Sequence, residues 1–268
     1  MPIFSFHLAK SAIPVTARAL LRPPATHSVA GLRRVECMAV MGLGSPILSS
    51  ARFQLRTLAV FASWENEHAL ERFLLETALG RTLSAGWHVR MEFLRRWGRV
   101  AGFDDLPAVR GDEDPAAPVV AVTLARLKLP EVPRFIRWGR PVEQLVRDHP
   151  ATTLALAAMR PPRTVSTFSV WRSLREMSGM VRGHDSIPGA ERHAAAMEER
   201  DRRDFHHEFT TLRFRPLAEH GSWEGRQHIV PGLDRRSRSA PGTQPSAAGN
   251  AGPGMFSGEE KLARRPLT

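Results

Sequence analysis

The 268-residue sequence predicts an α+β fold: two fused ferredoxin-like halves, each of order βαββαβ, closing into one pseudo-two-fold α/β barrel with a disordered C-terminal tail. Three observations predict it. The first is an internal repeat. TLAVFASW (57–64), the helix-periodic ENEHALERFLLETAL (65–79), GWHVRMEFLRRW (86–97) and GRVAG (98–102) return as VSTFSVW (165–171), an interrupted helical stretch, DFHHEFTTLRF (204–214) and GSWEG (221–225). Phe61 and Trp64 match Phe168 and Trp171, Trp87-His88 matches Phe205-His206, and Gly98 and Gly102 match Gly221 and Gly225. Two copies point to a duplicated domain rather than a solenoid. The second observation is that each half reads strand, helix, strand, strand, helix, strand. The third is physical: a sheet with helices on one face must hide its other face, and two such halves can hide theirs against each other.

Taken in order, Pro2–Ala9 is apolar enough for a strand, and Ile13–Leu21 forms a short helix stopped by Arg22-Pro23-Pro24. Arg33–Met41 is the next strand. The Gly42-Leu-Gly44 that ends it lacks the third glycine and the lysine a phosphate loop needs. Helix 65–79 carries Leu70, Phe73 and Leu74 on one stripe. In the following strand Val89, Met91, Phe93, Arg95 and Trp97 alternate with His88, Arg90, Glu92 and Leu94. FDDLPAVRGDEDPAAP reads as a linker. Strand Val119–Leu127, helix Val132–Val146, strand Thr152–Met159 and strand Val165–Trp171 then restart the pattern. The divisions are 1–102, first half; 103–118, linker; 119–228, second half; and 229–268, a disordered basic tail poor in residues worth burying.

Formal net charge is +11, and the segment from Arg226 onward supplies +4 of it. The remaining basic residues are scattered rather than striped with aromatics, which argues against a nucleic-acid partner. Such a surface suits peripheral attraction to acidic lipid headgroups. A lone cysteine, Cys37, excludes an internal disulfide, a cysteine zinc site and an iron–sulfur cluster. A cytoplasmic location follows from that cysteine usage. No 18-residue uncharged apolar run is present, so no spanning helix is expected. Serine nucleophile elbows, P-loops and His-x-x-x-His helices are absent, which removes the ordinary hydrolase and kinase readings.

FSVW ending at Trp171, the interrupted helix, Arg213-Phe214 and Gly221-Ser-Trp-x-Gly225 resemble the C-terminal half of the spheroidene monooxygenase family. PVVAVTLARLKLPEVPRFIRWGR…DHPATTLALAAM resembles its middle segment, and GLRRVECMAVMGLGS an early strand. The resemblance spans about residues 1–228. It implies a dimeric α/β-barrel-type oxygenase of an apolar carotenoid- or terpenoid-like substrate, with haem as cofactor, molecular oxygen as cosubstrate and an electron donor as partner. Two departures stand against it. Thr164 occupies the place of a histidine expected just before the F-S-x-W strand, and Thr211 stands nearest where the last strand can carry a tyrosine. They leave open a different class of function, a non-catalytic barrel that has lost its cofactor and binds a ligand or partner.

Along the last strand His207, Phe209, Thr211 and Arg213 share one face, and His206, Glu208, Leu212 and Phe214 the other. Leu212 and Phe214 read as the helix-covered core face, which turns His207 and Arg213 into a cavity between the sheets. A neutral histidine can ligate haem iron, so His207 is the candidate metal ligand. Arg213 is the candidate partner for a propionate or an oxygenated substrate group. Trp64, Trp171 and Phe209 are candidate substrate-binding residues, where large rings supply contact area. Plain core packing explains both tryptophans equally well, and a strand-edge role explains His207 and His88. His184, Asp185 and His193 fall in an insertion with irregular spacing and read as a structural loop.

Overall fold

A computed structural model of the chain describes residues 2–45, 49, 52–183, 189 and 191–233. Its strands are β1 (Ile3–Lys10), β2 (Leu32–Met41), β3 (Phe53–Trp64), β4 (Trp87–Arg99), β5 (Val119–Leu127), β6 (Thr152–Arg160), β7 (Thr164–Trp171) and β8 (His206–His220). Its helices are α1 (Ile13–Leu21), α2 (Glu67–Glu76), α3 (Ala78–Ser84), α4 (Val132–Asp148), α5 (Leu174–Arg182) and α6 (Glu191–Arg202). The strands close in the order β1-β3-β2-β6-β7-β5-β8-β4 with antiparallel neighbours. Each half contributes a ferredoxin-like sheet, β4-β1-β3-β2 and β8-β5-β7-β6. The seams between halves are β2–β6 and β4–β8. The predicted fold class holds. Among the described residues no helix is long and apolar enough to cross a membrane.

The single helix expected over 65–79 is two. Thr77 leaves the helical region, and its hydroxyl accepts the Gly80 amide at 2.9 Å, capping α3. Inside the barrel, alternate residues of all eight strands meet: Phe4, Phe6, Phe61, Trp87, Phe93, Phe168 and Phe214 dominate. Phe6 and Phe168 stack at 3.8 Å between ring centres, and Phe4 lies 5.0 Å from Phe214. The expected cavity between the sheets is therefore a packed aromatic core. At one end a polar cluster closes it, where Arg126 and Arg160 both bind Glu36 and Arg126 also reaches Glu208 and Thr164. At the other end Trp223, Ile229 and Val230 cover the mouth.

Two expected boundaries move. Residues 103–118 are not a spacer: Phe103 is buried against Phe61 and Val109 bridges to Arg95. The tail does not begin at 229, because Ile229 and Val230 belong to the core; residues 234–268 of the expected disordered tail lie outside the described residues.

Strand register also refines the repeat. Ile3 pairs with Trp64 as Val119 pairs with Trp171, so the two F-x-x-W segments are equivalent. Phe4 opposes Met91 as Val120 opposes Phe214, which makes Gly98 equivalent to Gly221 but His88 equivalent to Thr211, not to His206. Both glycines take a left-handed φ, of 73° and 77°. A Cβ there would meet Phe209 O at 2.2 Å or Gly86 O at 2.0 Å. Gly98→Ala is expected to cost about 2–4 kcal/mol in urea unfolding, from strain and clash together. Gly225→Ala, left-handed but with nothing within 4 Å, should cost about 1 kcal/mol. Equal losses at the two sites would refute the close-approach account.

Candidate functional site

The outward faces of the two sheets carry different residues at equivalent places. In the first half Cys37, Leu58, Val60, Ala62 and Trp64 are buried under α1, α2 and α3 with Leu70, Phe73 and Leu83. In the second half the equivalents of Leu58, Val60 and Ala62 are Val165, Thr167 and Ser169. Val60 is 2% exposed, whereas Thr167, on a central strand, is exposed. Across the same row Ala157 opposes Thr167, Thr167 opposes Thr123 and Thr123 opposes Thr211, with the last two hydroxyls 3.4 Å apart. Short side chains, with Thr167 exposed among them, thus floor a candidate groove on the outward face of this sheet.

The helices above do not fill it. α4 rests on β6, at the seam with the first half, and on α6, while α6 rests on α4 and α5. On α4 the stripe Phe135, Trp138, Val142, Leu145 faces the sheet. Phe135 meets Phe205 and His206 at one end, and Leu145 joins Trp171, Val119 and Met177 at the other. Half-buried Trp138 and Val142 span the gap between those anchors. On α6 the guanidinium of Arg200 lies 5.0 Å from the centre of the Phe209 ring, so the face carrying Arg200, Met197, Ala196 and His193 turns to the sheet. His193 lies two turns back from Arg200 on the same helix face, about 10 Å along the helix. Burial pushes the His193 ring below its ordinary range, toward neutrality, although the Val181 backbone carbonyl partly opposes this. Its Nδ1 is buried and has no hydrogen-bond partner.

The sequence-derived candidates distribute as follows. Leu212 and Phe214 point into the barrel, so the face assignment of β8 is reversed: Phe209, Thr211 and Arg213 face the helices. In a closed barrel wrapped by helices both faces of a strand are buried, and a period of two cannot say which is inside. Phe209 lines the groove. Arg213 lies at its edge, 4.2 Å over the Trp97 ring, donating to Glu113 at 3.2 Å; burial lowers its pKa. His207 is exposed at the start of β8. Trp171 closes the groove's lower end, its indole N–H donating to Ser169 at 2.8 Å. Trp64 lies in the other half, donating to Ser5 at 2.9 Å within the first-half cluster, and lines no cavity between the sheets. His206 is jacketed by Phe135, Phe205 and Phe209, with its Nδ1 on Asp204 at 2.9 Å. Thr164 is buried and accepts from Arg126 at 3.1 Å. His184 and Asp185 lie outside the described residues. No three His, Cys, Asp or Glu among those described gather as a metal set.

Sequence reasoning missed the threonine row and set His193 aside. A signal existed: in the repeat, Thr167 stands where Val60 does.

Comparison with known proteins accords with this fold. No protein-family profile matches the chain. It is 23% identical over 197 residues to the spheroidene monooxygenase of Cereibacter sphaeroides, covering 71% of this chain and 58% of the relative. The chain thus spans a little over half the length of the curated relative it matches, and the resemblance read from the sequence stands. Among solved structures, an aldoxime dehydratase in complex with butyraldoxime superposes with a TM-score of 0.53 at 7% identity, over 80% of this chain and 79% of that one. An anthrone oxidase-like protein gives 0.30 at 14% identity, over 81% and 92%. The first of these likenesses speaks to fold alone, and the second carries no argument.

Proposed function

We propose that the chain is an oxygenase-type enzyme whose ligand site is the groove between the second-half sheet and helices α4 to α6. Its substrate would be an extended apolar, carotenoid- or terpenoid-like molecule. The observation that carries this reading is an asymmetry in a symmetric fold: Val60 is buried beneath the first-half helices, whereas its equivalent in the second half, Thr167, is exposed. Loss of packing on one side only is what a ligand compensates.

One residue beside the groove would suit a haem ligand. His193 offers a buried, unpartnered Nδ1 on a ring held neutral by burial, and only the neutral ring donates an electron pair to iron. Haem held there supplies dioxygen activation. The chain's own part is to hold a flat group on the short-chained floor, exclude water with Trp138, Val142 and Phe209, and orient His193 through the Val181 carbonyl. Exposed His207 lacks that enclosure, so the ligand role passes to His193.

Reconstitution with haem tests this. We expect a stoichiometric Soret band that is lost in His193→Ala and kept in His207→Ala and His206→Ala. Oxygen-dependent conversion of an acyclic carotenoid, given a reductant, should be lost with it. A band that survives His193→Ala would overturn the ligand assignment. No band at any haem supply would overturn the oxygenase reading and leave a ligand-binding barrel.

A further inference from the structure

A second open space lies away from that groove. It is a cleft of about 720 Å³ at the barrel mouth, between the ends of β2 and β6 and the segment that follows β8. A cleft of that size holds a ligand of a few tens of atoms. Its floor is apolar: Val40, Leu154, Leu156, Trp223 and Ile229 extend the aromatic core to the opening. Its rim is cationic. Arg147, Arg172 and Arg226 line it against one carboxylate, Glu224.

The three guanidinium groups differ in how they are engaged. Arg147 forms a two-point pair with Asp148 at 2.7 Å, and Arg226 donates to Thr153 O at 2.5 Å. Arg172 is exposed, and among the described residues no carboxylate lies within ion-pair distance of it. The wall itself is held in place. The Glu219 carboxylate accepts the Trp87 indole N–H at 2.7 Å and the amides of Ile229 and Val230 at 2.8 and 2.9 Å. Between those anchors Glu224 and His228 take left-handed φ values of 51° and 55°, unusual for residues with a Cβ. The half-buried Glu219 carboxylate and the strained backbone after it thus fix this wall of the cleft in place.

We propose that this cleft is a second ligand site, separate from the groove. It takes an amphiphilic anion: an apolar chain lies on the Leu154, Leu156 and Trp223 floor, and a single carboxylate or phosphate head meets Arg172 at the rim. A guanidinium presents a fork of donors that matches either head.

Titration calorimetry of the full chain with dodecanoate, dodecyl phosphate, dodecanol and inorganic phosphate tests the site. We expect one molar equivalent of the anionic amphiphile to bind, dodecanol to bind at least about tenfold more weakly, and inorganic phosphate to give no heat. Preference between dodecanoate and dodecyl phosphate tells a fatty carboxylate from a lipid phosphate head; equal binding means the site reads charge and chain alone. Arg172→Gln, a surface change that leaves the fold intact, should weaken the anion about tenfold and leave dodecanol unchanged. Three results would overturn the proposal: no binding by any amphiphile, dodecanol binding as tightly as dodecanoate, or an unaltered anion affinity in Arg172→Gln. Loss of dodecanoate binding in His193→Ala would place the ligand in the groove instead and also overturn it.

Discussion

Between pH 7 and pH 5 the free energy of unfolding is expected to fall by about 4 kcal/mol, through two histidines that fold without their protons. His7 and His88 stack at 4.9 Å, and His88 stacks in turn on His220 at 4.7 Å, across β1, β4 and β8. Burial first, then the neighbouring histidines and Arg90, push His7 well below its ordinary range and His88 down to about 3. The groups facing the stack are Ser5 on β1, Trp64 on β3, Arg90 on β4, and Glu67 and Glu71, which reach Arg90 from α2. In the unfolded chain both rings titrate near pH 6.5. Their stabilising effect is therefore complete above that value and is lost as pH falls toward 3, because only the unfolded state takes up protons. Each ring contributes a slope of about 1.4 kcal/mol per pH unit once well below 6.5. Urea unfolding at a series of pH values would measure it. His88→Phe, which keeps the stack without the proton site, should roughly halve the slope. A flat profile from pH 7 to pH 5 would refute the account.

Phe6→Ala is expected to destabilise the protein by about 3–5 kcal/mol and, on the proposed groove site, to leave haem stoichiometry unchanged. Phe6 is fully buried and stacked on Phe168, so truncation removes transfer energy and leaves a void that the closed ring of strands cannot collapse to fill. The groove lies on the outer face of the second-half sheet, which carries Phe168 but not Phe6, and it shares none of these contacts. Chemical denaturation reads the first effect, and the Soret intensity of the folded variant reads the second. Loss of the Soret band in a variant that remains folded would put the ligand between the sheets after all.

The fold was legible because its signals are local and repeated: Phe61 and Trp64 recur as Phe168 and Trp171, and Gly98 recurs as Gly221, each at a place where register or backbone demands that residue. The last strand was read less well. Trp87-His88 and Phe205-His206 look alike in sequence, but β8 begins several residues early, so the true repeat equivalent of His88 is Thr211. Which face of β8 lies inside was not legible either, since Leu212 and Arg213 are each covered, one by the opposite sheet and one by Trp97 and Glu113. The groove emerges only when the two halves are superposed, because an exposed Thr167 is unremarkable until it is set beside a buried Val60.

The two seams of the barrel differ in length. β4 and β8 are joined through eleven residue pairs, from His88–His220 to Arg99–Phe209, whereas β2 and β6 meet through three, Ala39–Met159 to Met41–Ala157. The molecule is thus a bracelet with one long hinge and one short clasp. Thermal opening costs least where the fewest cross-strand bonds must part, so amide hydrogens at the clasp exchange before those at the hinge. Val40 and Met41 form part of that clasp and also line the mouth cleft.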